Sequence, residues 1–298
     1  MKMTIPGFTE FRELNLFFVK LQSRAREVFR DGVCIESVYG GVPGSKFCGG
    51  RGTVGKSWFG GDVVSLIEEY NGYGVGCNVT YTNQFIDEAA LEQSTFSMGL
   101  LDALNQLSSS KAVNGVIIYA DVLNAYLREN LPALRRILST TREIVAEDQI
   151  RSALAEYDRV VVSYNLTREE SLLKSLSSAG GLEVMVNEYC TPGCPNRNRH
   201  YRQISIDQIR GVQSPFACAF ADMRPPQAHG FLSGLIDGDV FLRNEDVRRY
   251  HDQLGIDSFK IVGRGLALYD VIDSYLYYLI KPEYWNEVRD SLVHSDVL

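Results

Sequence analysis

Long hydrophobic runs are absent from this sequence. No stretch of the 298 residues approaches the ~18 consecutive apolar residues of a membrane-spanning helix. Near the start, residues 16–19 form a short apolar run close to charged residues, and this run is too short for the hydrophobic region of a signal peptide. We therefore expect no membrane span and a cytoplasmic location.

Histidine is also scarce, with 4 residues in the chain. The sequence has no His-Glu-x-x-His motif and no recognisable Ser-His-Asp or Cys-His set. These absences argue against the common zinc, serine and cysteine peptidase mechanisms. The chain also has no internal repeat, low-complexity tract or linker that would divide it.

The composition is that of a globular protein with a substantial core, because 45% of the residues are hydrophobic and 11% are aromatic. The net charge of −7 argues against a dedicated nucleic-acid coat, although a local basic patch can still dock RNA. In a reducing compartment the 6 cysteines are expected to be ligands, catalytic groups or core residues rather than disulfides.

Helical and strand-like segments alternate along the chain. Apolar residues at helical spacing between positions 9 and 29 predict an amphipathic helix, so residues 1–32 are expected to pack on the main domain as an N-terminal helix. Strands are predicted at 33–39, 75–82, 115–120, 136–140, 159–164, 182–186, 239–242 and 258–262.

This alternation, with mostly apolar strands, predicts an α/β protein in which residues 33–298 form a (β/α)8 TIM-like barrel. A doubly wound open sheet is the alternative. Residues 202–238 break the alternation and are read as an insertion between strands 6 and 7.

Polar residues follow most of the predicted strands, and barrel enzymes build their sites at these strand ends. They suit a polar organic substrate, although each of them can instead cap the next helix. The positions are Tyr39 and Gly40, Thr82 and Asn83, Asp121, Ser139 to Thr141, Asn165, Asn187 and Glu188, Asn244, and Gly263 and Arg264.

Residues 50–57, GRGTVGKS, match the phosphate-binding pattern G-x-x-x-x-G-K-[ST]. A working nucleotide site needs a strand directly before the loop and a helix directly after it. Here Gly-rich sequence precedes the loop and Trp58-Phe59-Gly60-Gly61 follows it, so nucleotide binding is not expected. Arg51 and Lys56 can still grip an anionic substrate, or the loop can be a flexible lid.

In residues 182–201, many polar and charged residues follow a buried strand within a short stretch. Cys190 and Cys194 flank a Pro-Gly turn and can direct their sulfurs to one centre, and the nearby Arg197, Arg199 and Arg202 favour thiolates. This pattern indicates a soft-metal or iron-sulfur site. The alternative is a turn that holds two buried, reduced cysteines.

Several segments together resemble the peptidase U32 family, historically called collagenase-like peptidases. The matching pieces are Asn187-Glu188 with Cys190, Cys194, Pro195, Arg197, His200 and Tyr201; residues 259–264, FKIVGR, similar to the family's FKIEGR; and residues 117–141. The resemblance covers about residues 33 to 285.

The resemblance implies a barrel that carries a [4Fe-4S] cluster on four cysteines. It also implies oxygen-independent hydroxylation of RNA bases or in ubiquinone synthesis, with prephenate implicated as an oxygen source, and in some members a heteromeric partner protein. Cys190 and Cys194 match the closely spaced pair, Cys48 matches the early cysteine, and Cys218 is assigned as the fourth ligand because serines occupy the region expected to hold another cysteine.

The leading hypothesis is therefore a U32-like iron-sulfur enzyme that modifies an RNA base or a small aromatic molecule, with Glu188, His200, Arg264 and Asn83 on the substrate side. Glu188 can instead pair with Arg264 or Arg199, and His200 can be an acid/base group, a metal ligand or a structural group. Two other classes stay open: a zinc-binding hydrolase using Cys190, Cys194 and His200 or Cys218, and a non-catalytic scaffold stapled by a metal.

Overall fold

Eight parallel strands form a closed barrel in this computed structural model, which describes residues 1–50, 62–216, 231–236 and 238–295. The predicted (β/α)8 barrel is thus confirmed. The strands are β1 Lys2–Pro6, β2 Cys34–Gly40, β3 Gly76–Tyr81, β4 Gly115–Ile118, β5 Arg135–Leu138, β6 Arg159–Val161, β7 Leu182–Met185 and β8 Ser258–Lys260.

Helices surround the strands and cover their outer faces. They are α1 Arg12–Arg24, α2 Val63–Gly72, α3 Glu88–Gln93, α4 Thr95–Leu107, α5 Asp121–Asn130, α6 Glu147–Glu156, α7 Glu170–Ser177, α8 Arg197–Arg210, α9 Phe231–Leu235, α10 Asn244–Arg249, α11 Leu268–Leu279 and α12 Trp285–His294. None of the helices in the described parts of the chain combines the length and the apolar character that a membrane crossing requires.

The segment before residue 33 contains a barrel strand that the sequence pattern does not predict. Lys2 of β1 pairs in parallel with Cys34 of β2 and with Ser258 of β8, so this strand closes the barrel. The prediction of residues 1–32 as a helix outside the barrel was therefore wrong for residues 2–6. Five residues that end in proline carry little strand signal, because proline usually stops a strand.

Because β1 precedes the predicted first strand, the strands that follow it are numbered one higher than predicted, up to β7. Residues 182–185 form the seventh strand, and the long segment after them precedes the eighth strand rather than the seventh. The predicted strand at 239–242 is not a barrel strand, since there Phe241 forms only an isolated antiparallel bridge with Asn187. The insertion therefore lies between β7 and β8.

Asn187 joins the ends of the two strands that flank this insertion. Its Nδ2 donates to the Val262 carbonyl at 3.0 Å, and its Oδ1 accepts from the Val262 amide at 2.6 Å. A side-chain amide thus continues the pairing of backbone groups between β7 and β8 beyond their last paired residues. Asn187 therefore has a structural role in joining β7 to the segment that follows β8.

The barrel interior holds a buried carboxylate, Glu183 on β7, which is 1% exposed. Its Oε1 accepts from Thr4 Oγ1 at 2.7 Å, Ser258 Oγ at 3.0 Å and Arg159 Nη1 at 3.3 Å. Lys260 Nζ lies 3.9 Å from Oε2. A buried carboxylate needs such partners, since an unpaired charge in the interior is very costly.

A second carboxylate, Glu36 on β2, extends this network. It pairs with Arg159 at 2.8 Å and with Arg135 at 3.2 Å. The pairing between β1 and β2 shifts register at this point, because Ile35 opposes Met3 while Ser37 opposes Thr4. This bulge leaves Glu36 outside the regular ladder, where its carboxylate meets the two arginines.

Loss of the Glu183 charge should destabilise the protein strongly. We expect Glu183→Gln to lower the free energy of unfolding by about 3–5 kcal/mol, because Arg159 and Lys260 would lose a buried counterion. Urea unfolding measures the change. The matched control is Glu147→Gln, which removes the charge from an exposed pair with Arg151 and should leave the unfolding midpoint nearly unchanged. Equal effects of the two substitutions would contradict this account of the barrel interior.

The same carboxylate should make stability sensitive to acid. Burial alone would raise the pKa of Glu183, but Lys260, Arg159 and the hydroxyl donors hold the pKa below the ordinary value of 4.5. The contribution of the charge is therefore present above pH 4.5 and is lost as the pH falls through the lower value in the folded protein. We expect the difference in unfolding free energy between the unaltered protein and Glu183→Gln to shrink in acid. A difference that stays constant down to the acid transition would contradict this expectation.

Candidate functional site

A pocket opens at the carboxyl ends of the barrel strands. The empty space in and in front of it is about 520 Å³, part of which is open solvent. We call it the mouth pocket, and its lining consists of Tyr39, Gly50, Thr80, Thr82, Ile117, Ser139, Thr140, Thr141, Met185, Glu188, Arg197, Tyr201, Lys260, Val262 and Arg264. The active sites of barrel enzymes occupy this end of the fold.

Strand β8 and the residues after it supply three alternate side chains to the mouth pocket: Lys260, Val262 and Arg264. Lys260 is the last residue of β8, and Arg264 lies in the turn that follows the strand. Lys260 lies lowest and connects the pocket to the charged interior through Glu183. Its ammonium lies 3.8 Å from the centre of the Tyr39 ring, so a cation–π contact supports it from the side.

The pKa of Lys260 is lowered to about 8. Burial is the main cause, because it penalises the charged ammonium; the nearby Arg264 and Arg159 lower the pKa further, while Glu183 opposes the shift. A substantial fraction of Lys260 is therefore neutral near physiological pH.

Arg264 is buried at the pocket wall, where its Nη1 donates to Thr80 Oγ1 at 3.0 Å. The loop after β2 packs directly against the guanidinium at Gly50. A Cβ atom added to Gly50 would lie 2.5 Å from Arg264 Nη1, so a glycine allows this close approach.

Glu188 and Arg197, which also line the pocket, form a buried ion pair, each 2% exposed, with 3.0 Å between Glu188 Oε2 and Arg197 Nη2. Glu188 Oε1 also accepts from the amides of Tyr189 and Cys190, at 2.9 and 3.0 Å. The observed partner of Glu188 is therefore Arg197 rather than Arg264 or Arg199. Arg197 is the first residue of α8, which begins near the end of β7.

Arg197 is held from several directions. Its guanidinium carbon lies 4.2 Å from the Tyr164 ring centre and 5.2 Å from the Tyr201 ring centre. Glu143 Oε1 lies 3.4 Å from Arg197 Nε. Among the described residues Glu143 alone has positive φ without being glycine, at 52°, a conformation that costs on the order of 1–3 kcal/mol. The position of Arg197 is thus fixed by rings and carboxylates around it.

The predicted substrate-side residues separate into two groups. Glu188 and Arg264 line the mouth pocket, as expected from their positions after strands. Asn83 and His200 are not among its lining residues. Asn83 Nδ2 donates to the carbonyls of Lys46 and Ser205 at 3.1 and 3.0 Å, so it ties loops together, whereas the His200 ring stacks on Phe216 with 4.4 Å between ring centres.

Other polar residues at strand ends have local roles. Asp121 pairs with Arg142 at 3.0 Å, and Asn165 Oδ1 accepts from the Gly193 amide at 2.8 Å. Asn244 donates to the Tyr277 carbonyl at 3.0 Å. From the predicted ring, the residues that line the mouth pocket are Tyr39, Thr82, Ser139 to Thr141, Glu188 and Arg264.

The described cysteines Cys34, Cys48, Cys77, Cys190 and Cys194 are all free thiols. Cys48 is fully buried, and its Sγ accepts from the Val42 amide at 3.4 Å. Burial raises the pKa of Cys48, which favours the neutral thiol over the thiolate that binds metals. Cys190 and Cys194 are partly exposed at the turn beyond β7.

No three His, Cys, Asp or Glu side chains within residues 1–50, 62–216, 231–236 and 238–295 come together as a metal site requires. Cys48, Cys190 and Cys194 therefore do not by themselves fit a cluster site. Cys218 lies outside the described residues, as does the GRGTVGKS segment after Gly50. The [4Fe-4S] cluster and the zinc alternative stay predictions.

Lys260, Thr80 and Met185 are pocket residues that the sequence analysis did not select. Each lies within a strand, whereas the predicted site residues follow strands. No local pattern singles out Lys260, since the barrel geometry brings it into the same pocket as Arg264.

Comparison with protein-family models found no match, and comparison with curated proteins found none either. Among solved structures, the U32 peptidase Mk0906 is similar to this chain, with a TM-score of 0.55 over 90% of this chain and 94% of that chain. The sequence identity is 14%, which supports likeness of fold alone. The predicted resemblance is thus confirmed at the level of the fold: this chain has the barrel architecture of a U32 peptidase structure.

Proposed function

We propose that this chain is a U32-like barrel enzyme that binds a small, anionic aromatic molecule in the mouth pocket and modifies it there. The observation that carries the proposal is the placement of Lys260, Arg264 and Arg197 around one pocket at the carboxyl ends of the strands. Enzyme sites on this fold occupy that end, and ligand pockets typically combine apolar walls with a few placed polar groups.

Charge at the pocket favours an anion. Of the charged lining residues, three are cationic and one, Glu188, is anionic. Glu188 pairs with Arg197, so an incoming carboxylate or phosphate meets a lining with an excess of positive charge, to which Arg264 and Lys260 contribute. Arginine binds carboxylates through paired N–H donors, which makes Arg264 the proposed anion-binding residue.

The remaining walls favour a flat apolar body attached to the anionic group. Tyr39, Tyr201, Ile117, Met185 and Val262 offer ring faces and hydrocarbon surface, and Thr80, Thr82 and Ser139 to Thr141 offer hydroxyls. A small aromatic acid satisfies both parts of this lining. We therefore favour a small aromatic substrate over an RNA base, because the overall charge of −7 gives a nucleic acid no general attraction.

The reaction that we propose is the one implied by the family resemblance, an oxygen-independent hydroxylation or related modification. An iron-sulfur cluster, if bound, would pass electrons or polarise a substrate oxygen. The described residues themselves bind and orient the substrate: Arg264 holds the anionic group, and the Glu188–Arg197 pair forms a fixed wall of the same pocket. The zinc hydrolase and scaffold alternatives have no specific observation in their favour.

Anion binding can be tested with 3-phenyllactate, an aromatic hydroxy acid. We expect saturable binding by calorimetry, weakened about 10- to 100-fold by Arg264→Gln, because a charge-assisted hydrogen bond contributes ~1.5–3 kcal/mol. The matched control is Arg289→Gln, which alters an exposed arginine paired with Asp273 and should leave binding unchanged. Absence of binding, or equal binding by both variants, would argue against the mouth pocket as an anion site.

The metal prediction requires a separate measurement. After purification without oxygen, a cluster gives a brown protein with iron and sulfide in similar amounts, and we expect both to be lost in Cys190→Ser and Cys218→Ser. Cys34→Ser is the control, since Cys34 belongs to β2. A colourless protein with about one zinc would support the zinc alternative instead. A metal-free protein that still binds the anion would contradict the cluster prediction and leave the anion-binding proposal in place.

A further inference from the structure

Lys260 belongs both to the charged barrel interior and to the mouth pocket. Below it, Glu183 Oε2 lies 3.9 Å from its Nζ, and beside it the Tyr39 ring centre lies 3.8 Å away. The side chain is 7% exposed and lines the pocket, so a bound molecule can reach it.

The surroundings of Lys260 are those of a nucleophilic amine. Burial together with Arg264 and Arg159 lowers its pKa to about 8, and Glu183 keeps the pKa from falling further. Lysines that react with carbonyl compounds are activated in this way, by desolvation or by a neighbouring cation. Relative to an ordinary lysine with a pKa of 10.5, the neutral fraction near pH 7 is larger by roughly 300-fold.

We propose that Lys260 forms an imine with an oxo acid bound in the mouth pocket. This inference rests on the proposed function and narrows its substrate class to molecules that carry both a carboxylate and a carbonyl group. Arg264 would hold the carboxylate, and Lys260, which lines the same pocket, would meet the carbonyl carbon.

The covalent step needs no oxidant or reductant. The lone pair of the neutral Lys260 amine attacks the carbonyl carbon, and the electron pair of the C=O π bond moves to oxygen. The resulting carbinolamine then loses its oxygen as water, which carries away the two hydrogens of the amine and leaves a C=N bond. Hydrolysis reverses the same steps and regenerates the lysine.

Protonation of the imine nitrogen restores a positive charge at the position of the original ammonium. Glu183 lies at 3.9 Å from that position, and the face of Tyr39 flanks it. Both groups stabilise a cation, so the contacts that support the protonated lysine also support the iminium form. An iminium draws electrons from the adjacent carbon, which eases loss of a proton or of a group from that carbon.

Trapping of the imine tests the proposal on the unaltered protein. The protein is incubated near pH 7 with phenylpyruvate and cyanoborohydride, and the modified lysine is located by peptide mass spectrometry. We expect reduced adduct at Lys260 to exceed adduct at Lys281, a lysine paired with Asp31, by at least about ten-fold. Lys260→Met should abolish the preferred adduct, and Lys281→Met should leave it unchanged.

Three groups besides the amine influence the pH dependence of trapping: Glu183, Arg159 and Arg264, with the Tyr39 ring as the neutral neighbour. The arginines stay charged and Glu183 stays ionised near neutral pH, so the rate of imine formation, sampled at each pH by a short borohydride quench, should rise with pH and level off above about 8 as Lys260 becomes neutral. A rate that still rises steeply toward 10.5 would contradict activation of this lysine.

Binding of 3-phenyllactate, which has no carbonyl group, separates this inference from the proposed function. Saturable binding of 3-phenyllactate with no preferred adduct from phenylpyruvate would overturn the imine and keep the anion site. Failure of both would overturn both. An adduct at Lys260 that excess 3-phenyllactate suppresses would support both, because the two acids would then compete for one pocket.

Discussion

The negative charge of Glu183 is the constraint on which the barrel interior depends. A carboxylate that is 1% exposed can remain ionised only if nearby donors and cations offset its lost hydration. β1, β6 and β8 each supply at least one such group, as Thr4, Arg159, Ser258 and Lys260. Because these strands are far apart in sequence, the charge network fixes their register around the barrel as well as filling it.

The site depends on the same network. Lys260 is positioned from below by Glu183, and its ammonium then forms part of the floor of the mouth pocket. Arg197 is held by Glu188, Glu143 and two tyrosine rings before any substrate arrives. Cations fixed by the protein lose little mobility when an anion binds, which is the advantage of a preorganised site.

The barrel could be predicted from the sequence because the alternation of buried strands and helices is recognisable even where the exact ends of each element are not. β1 was missed since five residues ending in Pro6 carry almost no pattern, and that one omission moved the insertion from its observed place before β8. Glu188 and Arg264 could be selected as pocket residues from their positions after strands.

The placement of Arg197 and Lys260 in the pocket required knowledge of the tertiary structure. Arg197 reaches the pocket from a helix, and Lys260 lies inside a strand whose interior face is polar. Whether distant cysteines meet depends on loop paths, which no local pattern encodes.

Asn187 has a consequence for how this protein can vary. By pairing with both backbone groups of Val262, it fastens the two strands on either side of the longest excursion of the chain. Changes in the length of that segment therefore leave the pairing of β7 with β8 in place.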